Sequence, residues 1–315
     1  MRKYPPPSQT GTITFIPPRS DLKCQTSYSL WGSLDGKLVP LICIHGGPGA
    51  TCAYMKPLSL LTVDFGIPII TYDQIGCGQS TRLREKKGDL DFWGIDLFIA
   101  ELRNLIDAFN IDQFDLLGHS WGGQLAARFA AQQPRGLRRL VVANSTAVIA
   151  HRESIFKSQM ASLPSPFGDA ARKAEQDGDM NTDAYKAALE EWSRHYMCRL
   201  DPWPQEMLDC VAAMTEDDTV SSTLSDYLKE FDLRPDLAKI TADAVPGGML
   251  ILNGEFDQAA DEVVRPYFDL PAVQKKWIGL PLSGHMSMLD DPEEVVKIVG
   301  QFLLHDRGSV GGRHE

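Results

Sequence analysis

The sequence predicts an α/β domain: a mostly parallel central sheet with helices on both faces and an inserted helical cap. Three observations carry this. Short β-branched apolar runs, bounded by glycine or proline, alternate with segments of helical spacing, as in a parallel sheet covered on both sides. A polar helical block without strand pattern interrupts the alternation after residue 145. The strand pattern then resumes and ends in a final amphipathic helix.

Taken in order, "GTITFIP" (11–17) and "CQTSYSLWGS" (24–33) read as an antiparallel pair leading into the sheet. "LVPLICIHGG" (38–47), "IPIITYDQIG" (67–76), "FDLLGHS" (114–120) and "LRRLVVANS" (137–145) read as strands buried on both faces. Between them, "DLFIAELRNLIDAFN" (96–110) places Leu97, Leu102, Leu105, Ile106 and Phe109 on one helical face. The block 146–240 holds helical stretches such as "NTDAYKAALEEWSRHYMCRL", broken by "LPSPFGD" and "LDPWPQEM". Strands return at "GGMLILNGEFD" (247–257) and "VQKKWIGLPLSGH" (273–285), followed by the helix "DPEEVVKIVGQFLLH". The expected division is a core of 1–145 and 241–305, a helical cap of 146–240 lying over an active site, and a flexible tail of 306–315.

Composition narrows the function classes. A net charge of −11 and a pI near 5.1 weigh against a nucleic-acid surface, which needs clustered Lys and Arg. The opening "MRKYPPPSQT" has prolines where a secretory signal has an apolar run, and no stretch is apolar enough to span a bilayer. Cys24, Cys43, Cys52, Cys77, Cys198 and Cys210 show no C-x-x-C spacing, which argues against zinc or a redox pair and for a reduced, cytoplasmic protein. No nucleic-acid or membrane partner is expected, and oligomeric state is not legible.

Four separated pieces carry chemistry. Gly118, Ser120 and Gly122 form G-x-S-x-G between a buried strand and a helix, where a serine can stand on a sharp turn. "HGGPGA" (45–50) is a glycine turn whose backbone N–H groups can meet an oxyanion. Gly47 is the preferred donor, Gly46 the fallback, and Trp121 the donor following the serine. Asp257 and His285 each follow a late strand and supply an acid and a base in the order Ser, Asp, His. His285 takes the serine proton in this scheme and Asp257 holds its tautomer. Glu255 and Asp261 are rivals for the acid. His119 is expected on the opposite side of the strand from Ser120 in a structural role, His45 as an organiser of the glycine turn, and Cys77 as a buried structural thiol. Trp121, Trp192, Tyr196, Trp203 and Tyr227 can form an aromatic wall, although aromatic residues in a cap more often make its packing core.

Together "HGGPGA", "YDQIGCGQS", "GHSWGG", "NGEFD" and "SGHMSMLDDP" resemble the proline iminopeptidase group of serine hydrolases, within the α/β-hydrolase superfamily, over nearly the whole chain. "EEWSRHYMCRLDPWP" (190–204) resembles the lid of members related to the tricorn-interacting aminopeptidase. The resemblance implies an α/β-hydrolase fold with a cap, an acyl-enzyme mechanism without metal or organic cofactor, and cleavage of an N-terminal residue or small amide. It maps nucleophile, acid and base onto Ser120, Asp257 and His285, and the glycine turn onto Gly46 and Gly47.

Selecting a free N-terminus requires carboxylates to pair with its ammonium. In the tricorn-related members one glutamate directly follows the catalytic aspartate, where this chain has Gln258, and a second aligns near Ser221. Glu190, Glu191, Glu216, Asp217 and Asp218 are the possible substitutes. The substrate-side candidates are therefore Gln258, Glu191, Trp192, Tyr196 and Tyr227. The expected function is hydrolysis of an amide or ester in a small molecule or short peptide, in a peptidase or in a pathway enzyme of secondary metabolism. The alternatives are acyl transfer, cyclisation or rearrangement on the same three residues, and a non-catalytic ligand-binding scaffold.

Overall fold

The computed structural model describes residues 2–229 and 231–305, so the tail 306–315 lies outside the described residues. Eight strands form one sheet: β1 (Gln9–Phe15), β2 (Cys24–Trp31), β3 (Leu41–Ile44), β4 (Ile69–Tyr72), β5 (Phe114–His119), β6 (Leu137–Ala143), β7 (Met249–Gly254) and β8 (Lys275–Leu280). Their spatial order is β1-β2-β4-β3-β5-β6-β7-β8. β2 pairs antiparallel with β1 and β4, and every later pairing is parallel. This is the α/β architecture the sequence predicts.

The burial pattern explains the pairing. β3, β4, β5 and β7 are buried along their whole length, whereas β1 alternates outward at the sheet edge. Because side chains alternate along a strand, each inner strand feeds two cores. Ile42, Ile44, Leu116, Val142 and Ile251 enter one core, beneath α2 (Ile95–Ala108) and α3 (Trp121–Ala130), which follow the short α1 (Leu60–Phe65) in the chain. Leu41, Cys43, Leu117, Val141 and Leu250 enter the other. A charged exception is Asp115 on β5, fully buried and gripped by Arg138 of β6 at 2.5 and 3.0 Å. A buried carboxylate is tolerated where a guanidinium meets both its oxygens.

The helical insert is pinched at its base. Val148 bridges Asp232 antiparallel, with Ile149 N–H donating to the Phe231 carbonyl at 3.2 Å and Leu233 N–H to that of Ala147 at 3.0 Å. Inside this neck stand helices 152–162, 167–177, 183–192, 205–216 and 219–228. The first three pack around a small cluster of their own: Met160, Leu163, Ala171, Ala188 and Trp192. The last two lean on the body, with Met207 and Cys210 in one core and Val220, Leu224 and Leu228 in the other. Residues 234–237 already belong to the body, where Asp236 pairs with Arg128 of α3 at 2.5 Å. No helix among the described residues is long and apolar enough to cross a membrane.

Candidate active site

The parallel strands deliver their C-terminal ends to one edge, the position where open α/β sheets present ligand sites. Ser120 follows β5, Gly46 and Gly47 follow β3, Asn144 follows β6, Asp257 follows β7 and His285 follows β8.

Ser120 turns the chain from β5 into α3 with φ 54° and ψ −122°, a conformation costing a side-chain-bearing residue about 1–3 kcal/mol. Its neighbours permit the turn. A methyl group at Gly118 would run into the Gly122 carbonyl, and one at Gly122 into that of Ile44. Ser120 N–H donates to the Ala143 carbonyl at 2.9 Å, and Ser145 Oγ donates to the Ser120 carbonyl at 2.7 Å.

His285 Nδ1 lies 2.7 Å from Asp257 Oδ1. Asp257 accepts two further hydrogen bonds, from Ala259 N–H at 2.8 Å and from Asn144 Nδ2 at 2.7 Å. Since an ionised carboxylate only accepts, Nδ1 carries the shared proton and Nε2 of a neutral ring is left as a base. Both Ser120 and His285 border one cavity of about 900 Å³. In the sequence Asn144 is marked only as the end of the strand "LRRLVVANS". It takes φ 52°, and Ser287 Oγ donates to its Oδ1 at 2.6 Å, so its amide is aimed at the aspartate. The readable signal was an asparagine just after a buried strand, one of the few residue types that tolerates left-handed backbone.

His119 lies on the cavity side of the strand end and not on the opposite side. It borders the cavity and packs against His285 with ring centres 4.9 Å apart, because β5 ends there and the elbow reverses the chain. Its Nε2 donates to the His285 carbonyl at 2.8 Å, so its Nδ1 accepts from the Tyr54 hydroxyl at 2.8 Å. That hydroxyl in turn accepts from Gly46 N–H at 2.5 Å. Complete burial lowers the His119 pKa to about 3, helped by neighbouring His285. This neutral relay ties the glycine turn to the histidine segment. It also commits the Gly46 amide, which corrects that residue's place as a fallback donor. Gly47, at φ 117°, and Trp121, first residue of α3, remain; Gly123 and Gln124 N–H turn back to the Ser120 carbonyl. His45 orders the loop: its Nε2 accepts from Gln74 N–H and its Nδ1 meets the Gly46 carbonyl, both at 2.9 Å. Gln74 also takes the Trp121 indole N–H at 3.0 Å.

Of the substrate-side candidates, Gln258 and Trp192 border the cavity, as does Trp203. Glu191 does not; it lies 3.4 Å from Arg194 on the same helical turn. Tyr196 does not either. The helix widens into a π turn over 193–197, which brings Met197 to the cavity and leaves the Tyr196 hydroxyl with Ser162 at 3.0 Å. Tyr227 packs against Phe231 instead. The remaining cap acids are occupied elsewhere: Asp217 and Glu216 meet Arg84, and Asp218 meets Lys87. Ser221 and exposed Glu190 are not cavity residues. Glu255 is exposed in a turn, and Asp261 receives Asn253 Nδ2 at 3.2 Å. Cys77 is buried with its thiol near the Ile75 carbonyl, and His195 packs on Tyr196 and Phe256. Arg152 and Glu153, at the start of the first cap helix, border the cavity unforeseen. Among the described residues no group of three or more His, Cys, Asp or Glu could hold a metal ion.

The family model for the alpha/beta hydrolase fold matches residues 39–292. The proline iminopeptidase of Heyndrickxia coagulans is 30% identical over 276 residues, covering 85% of this chain and 92% of that protein. That of Levilactobacillus brevis is 31% identical over 293 residues, 90% and 94% of the two chains. Among solved structures, VinJ superposes with a TM-score of 0.84 at 32% identity, covering 95% of this chain and 99% of its own. The proline iminopeptidase of Mycobacterium smegmatis gives 0.84 at 31% identity, with 93% and 97% coverage.

Proposed function

The chain belongs to the α/β-hydrolase family, as a proline iminopeptidase-like serine hydrolase, and from that membership we propose that Ser120 cleaves an amide or ester through an acyl-enzyme. The observation that carries this reading is that His285, 2.7 Å from Asp257, borders the same cavity as a serine held at φ 54°. In the proposed reaction His285 Nε2 removes the Ser120 proton as Oγ attacks the carbonyl carbon. Asp257 stabilises the imidazolium through Nδ1–H, and the N–H groups of Gly47 and Trp121 receive the oxyanion. Collapse breaks the amide or ester bond, and the leaving amine or alcohol takes its proton from Nε2. Water, deprotonated by the same nitrogen, then frees the acid and Ser120.

The insert above the neck acts as the lid in this scheme, and its inner face suits a substrate with a bulky apolar part. Phe156, Trp192, Trp203, Met207 and Met214 line that side of the cavity. Free-amine selectivity is not part of the proposal. Gln258 is neutral, and Glu153, the carboxylate at the cavity edge, pairs with Lys157 at 3.0 Å. A pathway hydrolase acting on a small capped amide or ester fits these walls better than an aminopeptidase. Six free cysteines, five of them buried, support a reducing compartment such as the cytoplasm.

The test is turnover of proline naphthylamide beside its N-acylated counterpart and a neutral aryl ester, with Ser120→Ala as control. The expected result is ester or capped-amide turnover that vanishes in the variant. Proline naphthylamide as the strongly preferred substrate would overturn the specificity, and activity surviving in Ser120→Ala would overturn the nucleophile.

A further inference from the structure

The cavity's electrostatics run against the protein's overall charge. The chain carries a net charge of −11, yet the charged side chains bordering the cavity are Arg152, Glu153 and Lys229. Glu153 is exposed and shares Lys157 with Glu175, at 3.0 and 3.2 Å, and Lys229 has interactions of its own. Arg152 has neither ion pair nor hydrogen bond among the described residues.

Its position is as telling as its freedom. Arg152 is the first residue of the first cap helix, just beyond the neck. It borders both the large cavity and a small recess beside Ser120, whose other walls include Gly47, Trp121, Gln124, Gln258 and His285. The side chain is open to solvent, yet protein crowds it enough for burial to lower its pKa. A guanidinium stays charged even so, and its exposure leaves its donors free to meet an anionic group entering the cavity. Next to it Gln258 adds a neutral amide with two donors and no charge to oppose an anion.

We infer that the substrate carries a carboxylate that pairs with Arg152 while the scissile amide or ester lies over Ser120 and a bulky apolar group fills the cap side. This deepens the proposed function and rests on it. One guanidinium matches one carboxylate through two parallel N–H···O bonds, whereas a doubly charged phosphate would keep half its charge unmatched. An ammonium in that place would be repelled, so the site discriminates against a free N-terminus by an added cation as well as by missing acids.

Isosteric esters test this. In one series the acyl part is glutarate, pentanoate or 5-aminopentanoate on a 4-nitrophenyl leaving group. In the other, pentanoate is esterified to 3-hydroxybenzoate, phenol or 3-(aminomethyl)phenol. The expected result is a kcat/KM for the carboxylate roughly 10- to 100-fold above its neutral isostere in one series, which then tells which half of the substrate bears the anion. Arg152→Gln brings that ratio close to one, Arg152→Lys restores part of it, and Arg152→Glu inverts it toward the ammonium ester. Reading the ratio within each variant removes effects of folding. A wild-type ratio at or below one in both series, or a ratio that Arg152→Gln leaves unchanged, overturns the inference.

A second arm does not depend on catalysis. Ser120→Ala is expected to bind 5-phenylpentanoate at least about tenfold more tightly than 5-phenylpentanamide, and to lose that difference when Arg152→Gln is added. Equal binding would overturn the carboxylate site even if Ser120 proved to be the nucleophile. A preference for the acid would sustain the site even if it did not.

Discussion

The two sides of the cavity are built differently. Its floor is a set of loops at the ends of buried parallel strands, and nearly every polar group there has a partner: Asp257 has three donors, and Tyr54, His119 and the His285 carbonyl form one chain. Its roof is a group of helices, three of which share a five-residue buried cluster and meet the floor at a few points, such as Ile155 in the main core and Gln159 Nε2 donating to the Asp257 carbonyl at 3.0 Å. A floor held by hydrogen bonds to rigid strand ends can keep reacting groups in place. A roof whose helices pack on a small cluster of their own, and whose apolar lining side chains stand apart from its ties to the floor at Gln159, Tyr196 and Met197, can change that lining with less effect on the chemistry. Rate should therefore be sensitive to the floor, and substrate choice to the roof.

Breaking the floor gives the largest effects. Ser120→Ala is expected to lower kcat by about 10⁴- to 10⁶-fold with little change in melting temperature. Asp257→Asn, which loses the preferred tautomer, should cost about 10⁴-fold. Asn144→Ala takes one donor from Asp257 and is expected to lower kcat by roughly 10- to 100-fold. Tyr54→Phe cuts the relay between the Gly46 amide and His119; we expect a loss of about tenfold in kcat, with KM nearly unchanged. In the roof, Phe156→Ala should instead raise KM several-fold more than it lowers kcat. Steady-state kinetics on one aryl ester separates these cases, and a roof variant that lowers kcat as far as Asn144→Ala would erase the distinction.

The smallest effect concerns pH and stability in the body of the fold. Glu101 is fully buried, receiving Thr26 Oγ1 at 2.5 Å and Ile75 N–H at 3.0 Å, and burial raises its pKa to about 7. The folded state thus holds its proton more tightly than the unfolded chain, and its contribution is lost as pH rises from about 4.5 through 7. His119 has the opposite sign. Its folded pKa of about 3 means stability is lost as pH falls below about 6.5, when the unfolded chain takes up the proton. Glu101→Gln should flatten the rising-pH loss in urea midpoints and leave the acid-side loss. An unchanged profile would remove Glu101 as its source.

The same division governs what could be read from the sequence. Ser120, Asp257 and His285 stand out because a strand end admits few residues there: glycines where backbones touch, and polar groups where the sheet edge opens. Asn144 follows the same logic but lacks a glycine frame to mark it. In the roof, periodicity shows that helices exist but not which face turns inward. The π turn at 193–197 shifts the register enough to exchange Tyr196 for Met197, and Arg152 looks in sequence like any cation at a helix start. Tertiary packing of the insert, which no local pattern encodes, decides both.

The most direct measurement is covalent labelling with a fluorophosphonate probe, followed by peptide mapping of the native protein. The account predicts one adduct per chain, on Ser120, formed far more slowly in His285→Ala and absent in Ser120→Ala. No adduct, an adduct on another residue, or labelling indifferent to His285 would contradict it.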